Sequence, residues 1–123
     1  MSKVLIVDDD LDNAELLRIA LERVGYHACC AINGQAALAA VTNDPPDLIM
    51  LDIRMPVMDG ITLLQILRSY LRWHDLPVLV VTAMGKGPDL DRLEQFDVSG
   101  VYHKAAYELS DLVHHVQEIV PAN

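Results

Sequence analysis

The sequence predicts an α/β fold: a doubly wound, five-stranded parallel sheet with five helices on both of its faces. Three observations predict it: five short apolar runs, longer segments of helical period between them, and Gly or Pro punctuation where the period changes. Parallel strands covered on both faces read as continuous apolar runs, and their crossovers are helical.

The runs are Val4 to Val7, a weaker His27 to Ala31, Leu48 to Leu51, Val78 to Val81 and Gly100 to His103. Between the first two, Ala14, Leu17, Leu21 and Val24 recur at three- and four-residue steps, and Gly25 supplies a stop. A second helix is expected over about Gln35 to Thr42, closed by Asn43 and the Pro45-Pro46 pair that cannot continue it. A third begins near Asp59 and runs to about Leu71, with Leu63, Leu64, Leu67 and Leu71 as its inner stripe. The fourth is expected to be short, because Gly85, Gly87 and Pro88 make a loop and only Leu90, Leu93 and Phe96 supply an apolar face. The fifth carries the stripe Leu109, Leu112, Val113, Val116, Ile119 and Val120, with Ser110 and Asp111 near its start as caps or dipole partners. Right-handed crossovers and five strands fit the flavodoxin-like order 2-1-3-4-5, in which ligands bind beyond the C-terminal ends of the strands.

A length of 123 residues is that of one domain, taken here as residues 1–123. With 52% hydrophobic and 22% charged residues the chain should fold compactly. Its net charge of -9, from 18 acids against 9 bases, repels polyanions and argues against direct nucleic-acid binding. The apolar runs are too short to cross a bilayer and no charged-then-apolar leader opens the chain, so no membrane contact and a cytoplasmic location are expected. Cys29 and Cys30 are adjacent and face opposite ways in a strand, so free thiols, buried or half-buried, are expected. His27, His74, His103, His114 and His115 are too scattered to suggest a metal site, and His103 reads as a surface or core ring.

Read to its end, each strand delivers a polar candidate to one edge: Asp8 and Asp9 after the first, Asp52 after the third, Thr82 after the fourth, Lys104 after the fifth. Singly, each has an ordinary explanation as a turn residue, a strand terminator or a solvated charge. Together they do not, because crowded carboxylates raise one another's pKa unless a cation neutralises them. Oxygen donors without thiolate or imidazole favour Mg²⁺, with Mn²⁺ as its substitute, and Mg²⁺ in such a setting points to phosphoryl chemistry. A carboxylate can act as nucleophile toward phosphorus, and Asp52 is central in the proposed sheet. Asp8, Asp9 and Asp52 would hold the metal, while Lys104 and Thr82 would meet phosphoryl oxygens.

The stretches Val7-Asp8-Asp9-Asp10, Leu51-Asp52-Ile53-Arg54-Met55-Pro56-Val57-Met58-Asp59-Gly60 and Val81-Thr82-Ala83, with Lys104, resemble the response-regulator receiver family of two-component signalling. The resemblance covers almost the whole chain. It implies phosphorylation of Asp52 by a sensor histidine kinase or a histidine phosphotransfer protein, with Mg²⁺ required. It also implies metal binding by the backbone carbonyl of Arg54. Pro56 and Gly60 read as structural, the first fixing the loop's path and the second easing the turn into the third helix.

The chain departs from the family at two places. Ala105 follows Lys104 where the family has proline, so a trans bond, or a cis bond held by packing, is expected. Val101 occupies the position of the family's switch aromatic and is expected to pack as an ordinary aliphatic, while Tyr102 faces the other way, toward core or partner. Arg54 and Met84 flank the site where relatives tune the lifetime of the phosphoryl group. The leading reading is a phosphorylation-controlled binding module that signals through the face built from the fourth helix, fifth strand and fifth helix. That face serves dimers in some relatives and partners in others, so a homodimer and an unknown downstream protein or effector domain both stay open. With no effector following the fifth helix, a single-domain regulator or a fragment of a longer one is expected. The competing readings are a phosphorylation-independent interaction domain, suggested by Val101 and Ala105, and an Asp-nucleophile phosphatase, disfavoured because Arg54 stands where its second acid would be.

Overall fold

The computed structural model describes residues 1–83, 85 and 87–122. β1 (Lys3–Val7), β2 (His27–Ala31), β3 (Leu48–Leu51), β4 (Val78–Thr82) and β5 (Gly100–His103) form one parallel sheet in the order β2-β1-β3-β4-β5. The crossovers are α1 (Leu11–Arg23), α2 (Gly34–Asn43), α3 (Gly60–Ser69) and the short α4 (Pro88–Asp91) with a 3₁₀ segment (Arg92–Phe96); α5 (Leu109–Ile119) closes the fold.

Side chains alternate across each strand, so the apolar runs divide between two cores. Leu5, Val7, Ile49, Leu51, Val78 and Val80 pack with Ala37, Val41, Leu63, Leu64, Leu67, Leu93 and Phe96 beneath α2, α3 and the 3₁₀ segment. Val4, Ile6, Leu48, Met50, Leu79 and Val81 pack with Leu17, Leu21, Leu112 and Val116 beneath α1 and α5. Both layers exclude water, and truncating any one of the fully buried leucines to alanine would cost about 2–5 kcal/mol.

Asx caps start the first three helices: Asp10, Asn33 and Asp59 accept from the backbone N–H groups of Asn13, Ala36 and Thr62. Each cap contributes about 1 kcal/mol and fixes where a loop at the C-terminal edge of the sheet turns into helix. Gly25, at φ +98°, ends the α1 turn in a conformation that favours glycine.

Four local expectations are corrected. α3 stops at Ser69, and Leu71 is 87% exposed instead of completing the inner stripe. Trp73 takes the buried place, because the Arg68 guanidinium donates to the carbonyls of Phe96, Trp73 and Leu76 and folds the chain back under the sheet's end. Cys30 is exposed and only Cys29 is half-buried, since β2 is an edge strand. At α5 the N-cap is Glu108 with no side-chain cap bond; Ser110 and Asp111 lie within the helix, leaving Asp111 as a dipole partner. Val101 is 45% exposed, because four residues of α4 and a narrow 3₁₀ turn do not cover the outer strand. Tyr102, on the opposite side, packs at the edge of the second core against Tyr107 and shares a hydrogen bond with His115. No cis peptide bond occurs among the described residues, so the Lys104-Ala105 bond is trans.

Candidate phosphoacceptor site

Register delivers the site. Val7 pairs with Leu51, and Thr82 pairs with His103, so the residues that follow β1 and β3 leave the sheet level with each other, beside the end of β4 and one residue short of Lys104. The amide of Asp52 donates to the Val7 carbonyl and that of Lys104 to the Thr82 carbonyl, which extends the ladder by one rung on each side.

Asp8 and Asp52 are buried, and Asp9 is exposed at the rim. Carboxylate oxygens of all three lie within 4.8 Å of one another. The Lys104 ammonium reaches across, 2.9 Å from Asp8 Oδ2 and 3.2 Å from Asp52 Oδ2. Asp8 is further held by Asn13 Nδ2, at 2.8 Å, and by the backbone N–H of Asp10, at 2.9 Å. The Arg54 N–H donates to Asp52 Oδ1 at 3.3 Å, while its side chain is exposed. Thr82 is buried at the end of β4.

Burial and the neighbouring Asp8 charge push the Asp52 carboxyl up to about 6, against the pull of Lys104. Burial alone would lower Lys104, but the hydrogen bonds and charges of Asp8 and Asp52 outweigh it and leave the ammonium above its ordinary range. One lysine therefore does not settle two buried carboxylates, and the donor set fits a hard divalent cation.

The five predicted site residues, Asp8, Asp9, Asp52, Thr82 and Lys104, come together at this edge. Of the flanking positions, Arg54 lies at the site, Ala105 is exposed beyond it, and Val101 faces away on the outer strand; Met84 lies outside the described residues. Asn13 was not anticipated. The signal was its place one turn into α1, five residues after Asp8, where a helix N-terminus faces back onto the strand end. The role of Gly60 also differs from the expectation: a Cβ there would stand 2.6 Å from the Asp52 carbonyl oxygen and 2.8 Å from Ile53 Cα, so close approach excludes a side chain. Its N–H donates to the Ile53 carbonyl and pins the loop that carries Asp52.

A parallel α/β sheet that gathers buried carboxylates and a lysine at its C-terminal edge defines a site for a cation and an anionic group. The chain belongs to the response regulator receiver domain family, whose model matches residues 4–117. It is 41% identical over 97 residues to the DNA-binding dual master transcriptional regulator RpaA of Synechocystis, covering 79% of this chain and 39% of that protein. It is 40% identical over 93 residues to the transcriptional regulatory protein CpxR of Escherichia coli K12, covering 76% and 38%. The chain thus matches about two fifths of the length of these relatives. Among solved structures, the Vibrio cholerae chemotaxis protein CheY4 superposes with a TM-score of 0.87 at 26% identity, over 98% of this chain and 99% of that one. Thermotoga maritima TrrA, solved in complex with Mg²⁺-BeF, superposes with a TM-score of 0.84 at 27% identity, over 98% and 100%. No helix among the described residues is long and apolar enough to cross a membrane.

Proposed function

We propose that this chain, as one receiver unit over residues 1–123, accepts a phosphoryl group on Asp52 and signals through changed protein contacts. One observation carries the reading: the carboxylates of Asp8, Asp9 and Asp52 converge within 4.8 Å, with Lys104 bridging the two buried ones. An Asp52 oxygen attacks phosphorus, the bond to the donor breaks, and the donor leaves with the electron pair, giving an acyl phosphate. The donor class is a phosphohistidine of a sensor kinase or phosphotransfer protein, or a small acyl phosphate.

Asp8, Asp9, Asp52 and the Arg54 carbonyl would hold Mg²⁺, or Mn²⁺ in its place, which supplies charge neutralisation on the transferred group. Lys104 then exchanges part of its carboxylate pairing for a phosphoryl oxygen, and Thr82, buried at the neighbouring strand end, donates to another. Hydrolysis by water resets the switch, so the chemistry times a signal and does not turn over a dedicated substrate. The reading also places the chain in the cytoplasm, with no nucleic-acid or membrane contact of its own.

The test is intact-protein mass after incubation with acetyl phosphate, with and without Mg²⁺, for the wild type and Asp52→Asn. A single phosphoryl adduct that needs both Mg²⁺ and Asp52 supports the reading. Absence of an adduct together with failure to bind beryllofluoride overturns it in favour of a phosphorylation-independent interaction domain, the reading to which the exposed Val101 lends weight.

A further inference from the structure

β2 ends the sheet on one side, far from the carboxylate site in sheet order, and both cysteines of the chain lie on it. A spacing of two puts His27 and Cys29 on the same face of the strand. His27 is exposed, Cys29 is half-buried, and their Nε2 and Sγ atoms stand 3.5 Å apart. An S–H···N hydrogen bond spans such a gap, but so does a metal. Two ligands of a tetrahedral zinc ion, with Zn–S of about 2.3 Å and Zn–N of about 2.0–2.1 Å, are separated by about 3.5 Å. The pair has the bite of a zinc site, and thiolate with imidazole is a donor set that suits zinc. Such a site needs four ligands. Among the described residues only Asp8, Asp9 and Asp52 gather as three or more metal-ligating side chains, so the chain adds no third donor to His27 and Cys29. The Asp44 carboxylate is held by Lys3, the β1 residue in register with His27.

A second copy of the chain can supply the other two ligands, and the backbone of β2 selects the register. The His27 N–H donates to the Ser2 carbonyl and the Ala31 carbonyl accepts from the Asp8 N–H, so the odd-numbered backbone groups of β2 turn inward to β1. Those of Ala28 and Cys30 turn outward, to the open edge of the sheet. An antiparallel two-fold pair centred on Ala28 uses them, with the two Ala28 residues exchanging both N–H···O bonds. In that register His27 of each copy lies opposite Cys29 of the other, in pairs whose Cα atoms are about 4.5 Å apart, and all four side chains share one face. We propose that two copies of this chain bind one Zn²⁺ between their β2 edges, with His27 and Cys29 of each copy as the four ligands. Each thiol gives up its proton as the sulfur ligates, so Zn²⁺ enters as two protons leave and the charge of -9 on each copy is not increased. The proposal does not rest on the receiver reading above.

The experiment is sedimentation velocity of the full chain titrated with Zn²⁺, in excess Mg²⁺ to occupy the carboxylate site and with a phosphine reductant that prevents disulfides. A dimer is expected that completes at one Zn²⁺ per two chains and reverts on chelation. Co²⁺ in place of Zn²⁺ should give thiolate-to-metal absorption, which carboxylate ligation cannot produce. His27→Ala and Cys29→Ser each remove two of the four ligands and should raise the chain concentration for half-dimerisation by more than about a hundredfold. His27 is exposed, so its substitution tests ligation without disturbing the core. Cys30→Ser removes a thiol on the other face of β2 and should leave that concentration within about twofold. A chain that stays monomeric with Zn²⁺ overturns the proposal, as does a dimer that survives Cys29→Ser or one that Cys30→Ser dissolves. Thiolate absorption that saturates at one Co²⁺ per chain without dimerisation overturns the bridging. Adduct mass at Asp52, measured on each variant, shows that the variant is folded and keeps the two readings apart. A chain that dimerises on Zn²⁺ but takes no adduct fails only as a receiver.

Discussion

Replacing Asp52 by asparagine should make the metal-free protein more stable, although it removes the group on which the proposed function depends. Burial and the Asp8 charge raise the Asp52 carboxyl from its ordinary 3.8 to about 6. Between those values the folded chain binds a proton that the unfolded chain has already released. Stability is therefore fully present below about pH 4 and is lost as pH rises through about 6. At about 1.4 kcal/mol for each tenfold change in proton affinity, the displacement amounts to about 3 kcal/mol above pH 7. Asparagine also leaves Lys104 with one anion fewer, so the expected gain is about 1–3 kcal/mol at pH 8, falling to about a third of that at pH 4.5. Urea unfolding in chelator at the two pH values measures it. Mg²⁺ should narrow the gap by stabilising the wild type, by about 1.4 kcal/mol at ten times its dissociation constant. A variant no more stable than the wild type at pH 8, or a gain independent of pH, would refute the account of a carboxylate held under electrostatic strain.

Gly60→Ala should cost more than about 2 kcal/mol in urea unfolding and slow adduct formation, because its Cβ would meet the Asp52 carbonyl at 2.6 Å. Arg68→Ala should cost about 2–4 kcal/mol by the same measurement, since three carbonyls lose a charged donor, while the Asp52 adduct still forms. Val57 sits at φ +71° with its side chain 75% exposed, a conformation costly for a β-branched residue; Val57→Asn should raise the thermal midpoint, with a gain of about 1 kcal/mol. Asn13→Ala frees one lone pair of Asp8 and should slow adduct formation severalfold at limiting Mg²⁺, with the rate recovering as Mg²⁺ is raised.

The strands and the site were legible because both depend on one-dimensional features: an apolar run buried on both faces, and the residue that follows it. The order of the sheet then places Asp8, Asp52, Thr82 and Lys104 together with no further information. What could not be read depends on side-chain and backbone contacts that no local period encodes. Leu71 continues the period of α3 perfectly well, and only the three carbonyls gathered by Arg68 explain why Trp73 is buried in its place. Gly60 looks like a turn glycine, whereas its constraint is the Asp52 backbone across the loop. Val101 reads as an aliphatic strand residue, and its exposure follows from the shortness of the segment that would have covered it.

That shortness bears on how a signal could leave the site. β4 ends at Thr82 and β5 at His103, and both strands border the site at that end. No aromatic stands at Val101 to swing between buried and exposed positions, so a change at Asp52 would reach the outer strand through the backbone at Lys104, which continues β5. The Lys104 N–H bond to the Thr82 carbonyl, at 2.8 Å, ties that end of β5 to β4. An altered pairing of Lys104 would then act on the end of β5 and not on the rotamer at Val101. Amide exchange along β5 should then differ between the free and beryllofluoride-bound chain. Exchange rates along β5 that are the same in both states, with the adduct forming normally, would refute that route.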